Sequence, residues 1–239
     1  MIEIDPTKKT ALQFSGGKDS MACLYLLRDQ LDQVTVYWLN TGDGCPETLE
    51  VIANARSWIP NFVEIKSDVV NWRQQFGHPS DIVPVKTHWL GVAYGMADFR
   101  LSNKFDCCLM NIMTPMHDRM VADGIECVIR GTKDCDTGAV PFEGQDKFYE
   151  VLLPIRTWTH QDVFDYLAEV GAPYNPLYDY YTGISAPECF GCTAWWDDGK
   201  AAYFKALHPE RLGEYRASLE QIRAALHSHL ADLDFELRS

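Results

Sequence analysis

The sequence predicts an α/β protein in which a doubly wound, mostly parallel sheet carries helices on both faces. Within the first 65 residues, three β-rich segments alternate with two segments of helical spacing. This order favours parallel pairing, because each helix carries the chain back to the edge where the previous strand began. The length of 239 residues, of which 46% are hydrophobic, suits one such domain over 1–185 and a helical C-terminal extension over 186–239.

The N-terminal half supplies the alternating elements. Met21, Leu24 and Leu27 have the spacing of one helix face, and Pro46 is typical of a helix start. We predict strands over Thr10–Phe14, Val34–Leu39 and Asn61–Ile65, and helices over Ser20–Gln30 and Pro46–Trp58.

The second half adds two buried strands and more helix. Residues 68–120 are predicted to be mostly helical, with a looser stretch over Gly77–Pro84. Thr159 is a predicted helix N-cap, with Asp162 three residues later and Gly171 at the C-terminus. The remaining predictions are strands over Glu126–Arg130 and Phe148–Leu153, loops over Cys135–Gln145 and Pro173–Pro187, and helix over Ala201–Leu233 with a break near His208-Pro209.

The charge of the chain limits its partners. The formal net charge is −13, whereas nucleic-acid binding draws on basic residues that neutralise phosphates. We therefore expect no polynucleotide partner unless another subunit supplies a basic surface. No apolar run is long enough to span a bilayer, and the N-terminal residues resemble neither a signal peptide nor a transit peptide. The expectation is a cytoplasmic protein without a membrane partner, as a monomer or a homo-oligomer.

The stretch SGGKDS, Ser15 to Ser20, lies between a predicted strand and a predicted helix. Glycines there permit positive φ and close approach of a ligand, and the N–H groups of the helix start point at an anion. Lys18 adds a positive charge and the two serines add hydroxyl donors, so phosphate is the expected ligand. The spacing is neither that of a Walker A loop nor GxGxxG. The alternative is an ordinary glycine turn with Asp19 as a helix cap.

Three stretches together resemble the phosphoadenylyl-sulfate and adenylyl-sulfate reductase family of the PP-loop, or ATP pyrophosphatase, superfamily. SGGKDS resembles the PP-loop itself, and LNTGDGCPET (Leu39–Thr48) resembles the family's strand-end segment. VLLPIRTWTHQDVFDYLAEVGAPYNPLYD (Val151–Asp179) is similar to a segment of the reductase branch. The resemblance implies a HUP-like fold and an adenine nucleotide, either ATP or adenylyl sulfate or phosphoadenylyl sulfate, bound by the 1–185 domain.

The resemblance also implies roles for individual residues. Lys18 and Asp19 would be catalytic, and Gly131 would form a second anion-contacting turn with Arg130 and Lys133 as its charges. Arg130 has an alternative interpretation as a strand-end residue whose charge reaches solvent. The implied nucleotide contacts are Ser15, Gly16, Gly17, Lys18, Asp19, Ser20, Thr41, Gly42, Arg130, Gly131 and Lys133.

Eight cysteines occur in a chain that we expect to lie in a reducing compartment, so metal binding, redox chemistry or core packing are favoured over disulfides. Cys107 and Cys108 are adjacent, and Cys189 and Cys192 form a CxxC pair after 80 intervening residues. Four thiolates suit a [4Fe–4S] cluster or a zinc ion. CxxC alone also fits a redox pair, and unmetallated core thiols remain an alternative. We expect Cys23 and Cys127 to be core residues and leave a redox role open for Cys45 and Cys135.

The CC–X80–CxxC spacing resembles the iron–sulfur signature of the assimilatory adenylyl-sulfate reductases, which also carry a basic residue near the cluster, as Lys104 is here. Two features depart from that branch. Its nucleophilic tail cysteine has no counterpart after Cys192, and its loop is usually degenerate, whereas SGGKDS is complete. A complete loop resembles the ATP-cleaving branch, in which Mg²⁺ bridges the phosphates.

Three functions follow as expectations. The first is ATP cleavage to AMP and pyrophosphate, which activates a substrate for sulfur transfer and needs a sulfur donor. The second is adenylyl-sulfate or phosphoadenylyl-sulfate reduction, with a thioredoxin-like reductant and Cys135, Cys45 or an external thiol. The third is a non-catalytic nucleotide-binding protein.

Overall fold

A computed structural model of the chain describes residues 4–136, 141–181 and 187–238. Parts of the two loops predicted over Cys135–Gln145 and Pro173–Pro187 lie outside these residues. The strands are β1 Thr10–Gln13, β2 Val34–Asn40, β3 Phe62–Lys66, β4 His78–Ser80, β5 Leu101–Asn103, β6 Cys127–Ile129, β7 Gly144–Gln145 and β8 Glu150–Leu152. The helices are α1 Lys18–Leu26, α2 Pro46–Arg56, α3 Val69–Phe76, α4 Trp89–Ala93, α5 Lys104–Cys108, α6 Thr114–Ala122, α7 His160–Glu169, α8 Lys200–Leu207 and α9 Pro209–Arg238.

The central sheet has the strand order β3-β2-β1-β6-β8-β7. All its pairs are parallel except β7–β8, which is antiparallel. The chain first moves outward from β1 to β3 and later returns to the other side of β1 with β6. In open parallel sheets ligands bind at the carboxyl ends of the strands where the order reverses. The turn after β1 therefore lies at the expected binding edge.

Helices cover both faces of this sheet, as the sequence predicts. One apolar cluster packs β1 and β2 against α1, α2 and α7, and includes Phe14, Leu24, Trp38 and Ile52. A second cluster packs the opposite face against α6, with Tyr37, Met116 and Met120 among its members. The two clusters therefore pack both faces of the sheet that carries the binding edge.

Two sequence predictions need correction. The first helix begins at Lys18, two residues before the predicted start, and ends at Leu26, after which Arg28–Gln30 form a 3₁₀ turn. Its N-cap is Gly17, so the interpretation of Asp19 as the cap is wrong. The region 68–120 is mostly helical, as predicted, but it also contains β4 and β5, which pair in parallel. These strands are three residues long, too short to show a period-2 pattern.

The C-terminal region follows its prediction closely. Helices α8 and α9 are separated at His208-Pro209, and His208 N–H donates to the carbonyl of Phe204 as α8 ends. Tyr203, Phe204 and Tyr215 pack with Cys45 and Leu177 into a third apolar cluster. Within the described residues, no helix combines the length and hydropathy that crossing a membrane requires.

Candidate functional site

The turn after β1 is shaped by its own glycines and serines. Gly16 has φ of +77°, a conformation that favours glycine. The Ser20 hydroxyl donates to the Gly17 carbonyl (3.0 Å) and accepts from the Ser15 amide (3.2 Å). The Lys18 amide donates to the Tyr178 hydroxyl at 2.8 Å. Hydrogen bonds within the turn, and one to Tyr178 of the NPLYD segment, therefore fix its conformation.

Two lysine side chains converge on one carboxylate of this turn. Lys18 Nζ lies 2.8 Å from Asp19 Oδ2, and Lys133 Nζ lies 2.6 Å from Asp19 Oδ1. Lys133 Nζ also contacts Asp136 Oδ1 at 2.8 Å. Both lysine side chains are almost completely buried. The structure thus brings together two predicted cationic residues that are far apart in the sequence.

Carboxylates offset the burial of the two ammonium groups to different extents. It lowers the pKa of Lys18, although the charge and hydrogen bond of Asp19 act in the opposite direction. For Lys133, burial alone would lower the pKa, but hydrogen bonds to Asp136 and Asp19 outweigh it and raise the pKa. Lys133 is thus firmly protonated, while Lys18 has less carboxylate support for its charge.

A cavity of about 540 Å³ opens beside this turn, at the carboxyl ends of β1, β2 and β6. Its polar lining comes from the turn of residues 15–20 and from the end of β6. Its apolar wall comes from α6 and from the residues that precede this helix. Arg130 lines it, donates to the Tyr149 hydroxyl at 3.3 Å, and keeps a buried Nε without a partner among the described residues. No cysteine is among the described residues that line this cavity. Arg130 therefore faces the cavity rather than solvent.

Gly131 is explained by packing rather than by φ. A Cβ at this position would lie 2.6 Å from the carbonyl carbon of Asp19 and 2.8 Å from its oxygen. The turn after β6 therefore lies directly against the first turn of α1. This approach is what brings Lys133 to Asp19.

Thr41 and Gly42 lie at the neighbouring strand end, toward the cysteines. Cys189 Sγ donates to Thr41 Oγ1 at 3.5 Å, and the Gly42 amide donates to Asn40 Oδ1 at 2.9 Å. Neither residue is among the described residues that line the 540 Å³ cavity. The contact of both residues with a nucleotide stays a prediction, whereas the contact of Thr41 with Cys189 is visible.

A second cavity, of about 480 Å³, lies on the other side of the turn and is lined by Gly16 and Lys18. Lys18 Nζ is 5.9 Å from the ring centre of Phe164 and 5.6 Å from that of Tyr178. Such distances allow cation–π attraction. No sequence pattern identified these two aromatic residues as site residues, although Tyr178 belongs to the segment that carried the family resemblance.

The four predicted cysteine ligands assemble in one place. Cys107, Cys189 and Cys192 are buried together with Val69 and Ala194, and Cys108 is half-buried beside them. The first pair ends α5 and precedes a single π-helical turn over Leu109–Met113, a feature found frequently at functional sites. Burial raises the pKa of Cys107 and Cys189 to about 12, and that of Cys108 to about 11.

Two buried cations accompany these thiols. Lys200 Nζ donates to the carbonyls of Cys189 (3.0 Å) and Cys192 (2.9 Å), and burial lowers its pKa. Arg73 pairs with Asp43 at 2.5 Å, but its Nε and Nη2 are buried without a hydrogen-bond partner among the described residues. Unpaired buried cations are costly unless an anion compensates them. A cluster bound by four thiolates carries net negative charge, so this donor set fits the [4Fe–4S] group that the resemblance implies.

Four neighbouring thiols suit a [4Fe–4S] cluster or a single zinc ion. Lys104, the predicted basic neighbour, pairs with Asp81 at 2.6 Å and lies 3.8 Å from the ring centre of Trp195. Arg73 and Lys200 are further cations beside these cysteines, and no motif identified them.

The remaining cysteines separate clearly. Cys23, Cys45 and Cys127 are buried, and burial raises the pKa of Cys45 to about 12, which makes it a poor nucleophile. Cys135 is exposed, and its Sγ lies 3.8 Å from His160 Nε2. Burial and the charges of Lys18 and Lys133 lower the pKa of His160. No sequence pattern identified His160 as a site residue, although it lies next to the predicted cap Thr159.

Comparison with known proteins agrees with this architecture. The phosphoadenosine phosphosulfate reductase domain family matches residues 9–81 and 129–194. These ranges contain the 15–20 turn and the CxxC pair, whereas Cys107 and Cys108 fall between them.

Two curated relatives are both named adenosine 5'-phosphosulfate reductase. The one from Lysinibacillus sphaericus is 23% identical over 182 residues, which cover 73% of this chain and 70% of the relative. The one from Bacillus mycoides is 24% identical over 181 residues, with the same coverage of 73% and 70%.

A similar solved structure is that of phosphoadenylyl-sulfate reductase from Candida auris in its phosphate complex. The TM-score is 0.55 at 15% identity, and the match covers 77% of this chain and 88% of that chain. The likeness confirms the α/β fold with its mostly parallel sheet.

Proposed function

Because the chain belongs to the phosphoadenosine phosphosulfate reductase domain family, a family of enzymes, we propose that it cleaves ATP to AMP and pyrophosphate and thereby activates a substrate for sulfur transfer. The observation that carries the proposal is the pair of buried lysines that meet at Asp19, on a complete SGGKDS turn. Lys18 lines the 480 Å³ cavity beside the turn, whose amides would be further donors to a polyphosphate.

Each part of the turn would have its own role. The amides of the 15–20 turn and the Ser15 and Ser20 hydroxyls would bind phosphate oxygens, while Lys18 and Lys133 would neutralise charge on the departing pyrophosphate. Asp19 would hold both lysines in place and offer an oxygen ligand to Mg²⁺. An oxygen of the acceptor would attack the α-phosphorus, the bond to the β-phosphate would break, and AMP would stay on the acceptor oxygen as a leaving group.

The cysteine region would supply the sulfur chemistry. Cys107, Cys108, Cys189 and Cys192 would hold a [4Fe–4S] cluster, with Arg73 and Lys200 compensating its charge. When bound, such a cluster handles sulfide or electrons. Thr41 touches Cys189 from the end of β2, so the strand edge that carries the nucleotide turn also supports the cysteines.

A second candidate is reduction of adenylyl sulfate or phosphoadenylyl sulfate to sulfite. The names of the two relatives favour it. Reduction needs a thiolate in line with the sulfur, yet none of the described residues that line the 540 Å³ cavity is a cysteine. Cys135 is the remaining exposed thiol, and a thioredoxin-like reductant would be its partner. A non-catalytic nucleotide-binding protein is the third candidate, and the convergence of Lys18 and Lys133 argues against it.

The proposed partners are small molecules and a sulfur donor. With a net charge of −13, a nucleic-acid acceptor would require a basic partner subunit. A homo-oligomer is compatible with the proposal.

The test compares nucleotide binding and product release in anaerobically purified protein. Lys18→Ala should weaken ATP binding in calorimetry by about 10- to 100-fold, since a hydrogen bond to a charged group contributes about 1.5–3 kcal/mol. Gly17→Val should also weaken it, because a Cβ there already lies 3.1 Å from the Tyr178 hydroxyl and 3.3 Å from Ser15 Oγ. Lys205→Ala, on the exposed face of α8, is the control.

Product analysis then separates the two chemistries. ATP should yield AMP and pyrophosphate, while adenylyl sulfate with thioredoxin should yield little sulfite. Abundant sulfite that disappears in Cys135→Ser would establish the reductase function instead. Equal ATP affinity in the parent and both loop variants would exclude the turn as the nucleotide site.

A further inference from the structure

A second group of metal-ligating side chains lies outside the four-cysteine region. Cys135 Sγ is 3.8 Å and Asp136 Oδ1 is 3.9 Å from His160 Nε2. All three ligand atoms lie within 4.8 Å of one another. Among the described residues this is the one such group of three. Neither the nucleotide nor the cluster proposal uses it.

The two segments that carry these side chains are fixed before any ligand arrives. On one side, Asp134–Asp136 form a 3₁₀ turn, and Asp136 Oδ2 accepts from the Lys133 amide at 2.8 Å. Asp134 pairs with Arg156, whose Nε lies 2.9 Å from its Oδ1. The site is thus preorganised from its first segment.

The second segment is the start of α7. Thr159 and Asp162 form a complete capping box, which sets the first turn of the helix and therefore the direction of His160. His160 Nδ1 is buried without a partner among the described residues, so Nε2 is the nitrogen that a ligand can reach.

The donor set and its spacing fit a transition metal. Zn–S bonds of about 2.3 Å and Zn–N bonds of about 2.0–2.1 Å place tetrahedral ligand atoms about 3.5 Å apart. The two separations from His160 Nε2, 3.8 Å and 3.9 Å, exceed this by less than half an ångström, and Cys135 Sγ lies within 4.8 Å of a carboxylate oxygen of Asp136, so side-chain rotations would bring the three atoms to bonding distance. We propose that Cys135, Asp136 and His160 bind a divalent transition metal such as Zn²⁺, with one coordination position left open.

A metal bound at this place would lie close to the turn of residues 15–20. Lys133 Nζ is shared by Asp136 (2.8 Å) and Asp19 (2.6 Å), so the metal lies one side chain away from the turn of residues 15–20. A thiolate and an imidazole select zinc or iron over Mg²⁺. An open position at this place suits an oxygen of a phosphate or of water. Metal binding would also occupy the Cys135 thiolate, which removes it as a free nucleophile.

The test is an anaerobic titration of the full-length protein with Co²⁺ alone, without nucleotide, so its result does not depend on ATP cleavage. The parent should show a thiolate-to-cobalt charge-transfer band that is additional to any signal from the four-cysteine region. Loss of an outer-shell partner already weakens metal binding by about 10- to 100-fold. We therefore expect Cys135→Ser and His160→Gln each to weaken this site by at least about 100-fold.

Two controls make the result decisive. His227→Gln, on α9, should leave the titration unchanged. Cys107→Ser with Cys189→Ser removes the other thiol site and should leave the additional band in place. A cobalt signal that survives in Cys135→Ser and His160→Gln but vanishes in the Cys107/Cys189 double variant would overturn the proposal, as would the absence of any additional band in the parent.

Discussion

The turn of residues 15–20 and the four-cysteine region differ in how they balance their buried charge. At the turn, Lys18 and Lys133 both meet carboxylates, at 2.8 Å and 2.6 Å from Asp19. In the cysteine region, Lys200 donates to carbonyls, and two nitrogens of Arg73 have no partner among the described residues. Both lysines at the turn thus have carboxylate partners without a bound ligand. The cysteine region instead holds positive charge that an anion would compensate.

This difference assigns different roles to the two ligands. The phosphates of a nucleotide would take the place of Asp19 as partners of the two lysines. The nucleotide could then leave, because Asp19 pairs with both lysines when the turn is empty. A thiolate-bound cluster would instead belong to the folded structure, because without it Lys200 is buried with only carbonyl partners and Arg73 has Asp43 as its carboxylate partner but two nitrogens without acceptors among the described residues. Under the proposed function, the first would therefore be a substrate site and the second a resident cofactor site.

The largest expected effect comes from breaking the cysteine region. Cys189→Ser should reduce the iron content from about four atoms per chain to nearly none. Breaking a buried charge pair costs about 3–5 kcal/mol, so chemical denaturation should show a loss of that size. Iron analysis and unfolding monitored by circular dichroism are the measurements.

The matched control is Cys127→Ser, a buried cysteine in β6 that lies outside the four. It should keep its iron. If Cys189→Ser also kept four irons, or if the parent held about one zinc per chain, the comparison between the two regions would fail.

A smaller effect is expected where the turn meets β6. In Gly131→Ala the new Cβ would lie 2.6 Å from the backbone of Asp19, and overpacking of this kind costs about 1–3 kcal/mol. The shift should also weaken ATP binding, because Asp19 positions both lysines. Denaturation and calorimetry on the same samples measure the two effects.

Gly213→Ala in α9 is the control, since a Cβ added there would meet no atom of the described residues within 4 Å. It should be neutral or more stable by up to about 1 kcal/mol, as alanine is the better helix former. A Gly131→Ala protein that binds ATP as tightly as the parent would show that the close approach of the two turns has no bearing on the nucleotide.

The sequence was sufficient for features that depend on local chain order. The alternating elements of the first 65 residues, the cap at Thr159 and the break at His208-Pro209 are all confirmed. The SGGKDS turn and the family resemblance also followed from local sequence patterns. The residues that match the family model include this turn.

Features that depend on which distant segments meet could not be predicted. Lys133 was identified as a charge near a second turn, but its bond to Asp19 depends on the approach of Gly131 to α1. Arg73 and Lys200 lie in ordinary helical sequence, and only the folded chain shows that they are buried beside thiols. His160 was overlooked because its partners, Cys135 and Asp136, lie 25 and 24 residues earlier in the sequence.

The smallest expected effect tests the charge of Lys200 itself. In Lys200→Met the hydrogen bonds to the carbonyls of Cys189 and Cys192 are lost with or without a cluster, whereas the attraction to an anion is lost only when the cluster is present. The substitution should therefore lower the free energy of unfolding more in the cluster-loaded protein than in the cluster-free protein. The difference between the two decreases is a coupling energy of about 0.5–3 kcal/mol. Lys205→Met, exposed on the same helix, should show equal losses in both forms. Equal losses for Lys200→Met would mean that Lys200 serves only to hold the loop carbonyls, and that the buried charge of this region is not matched to an anion.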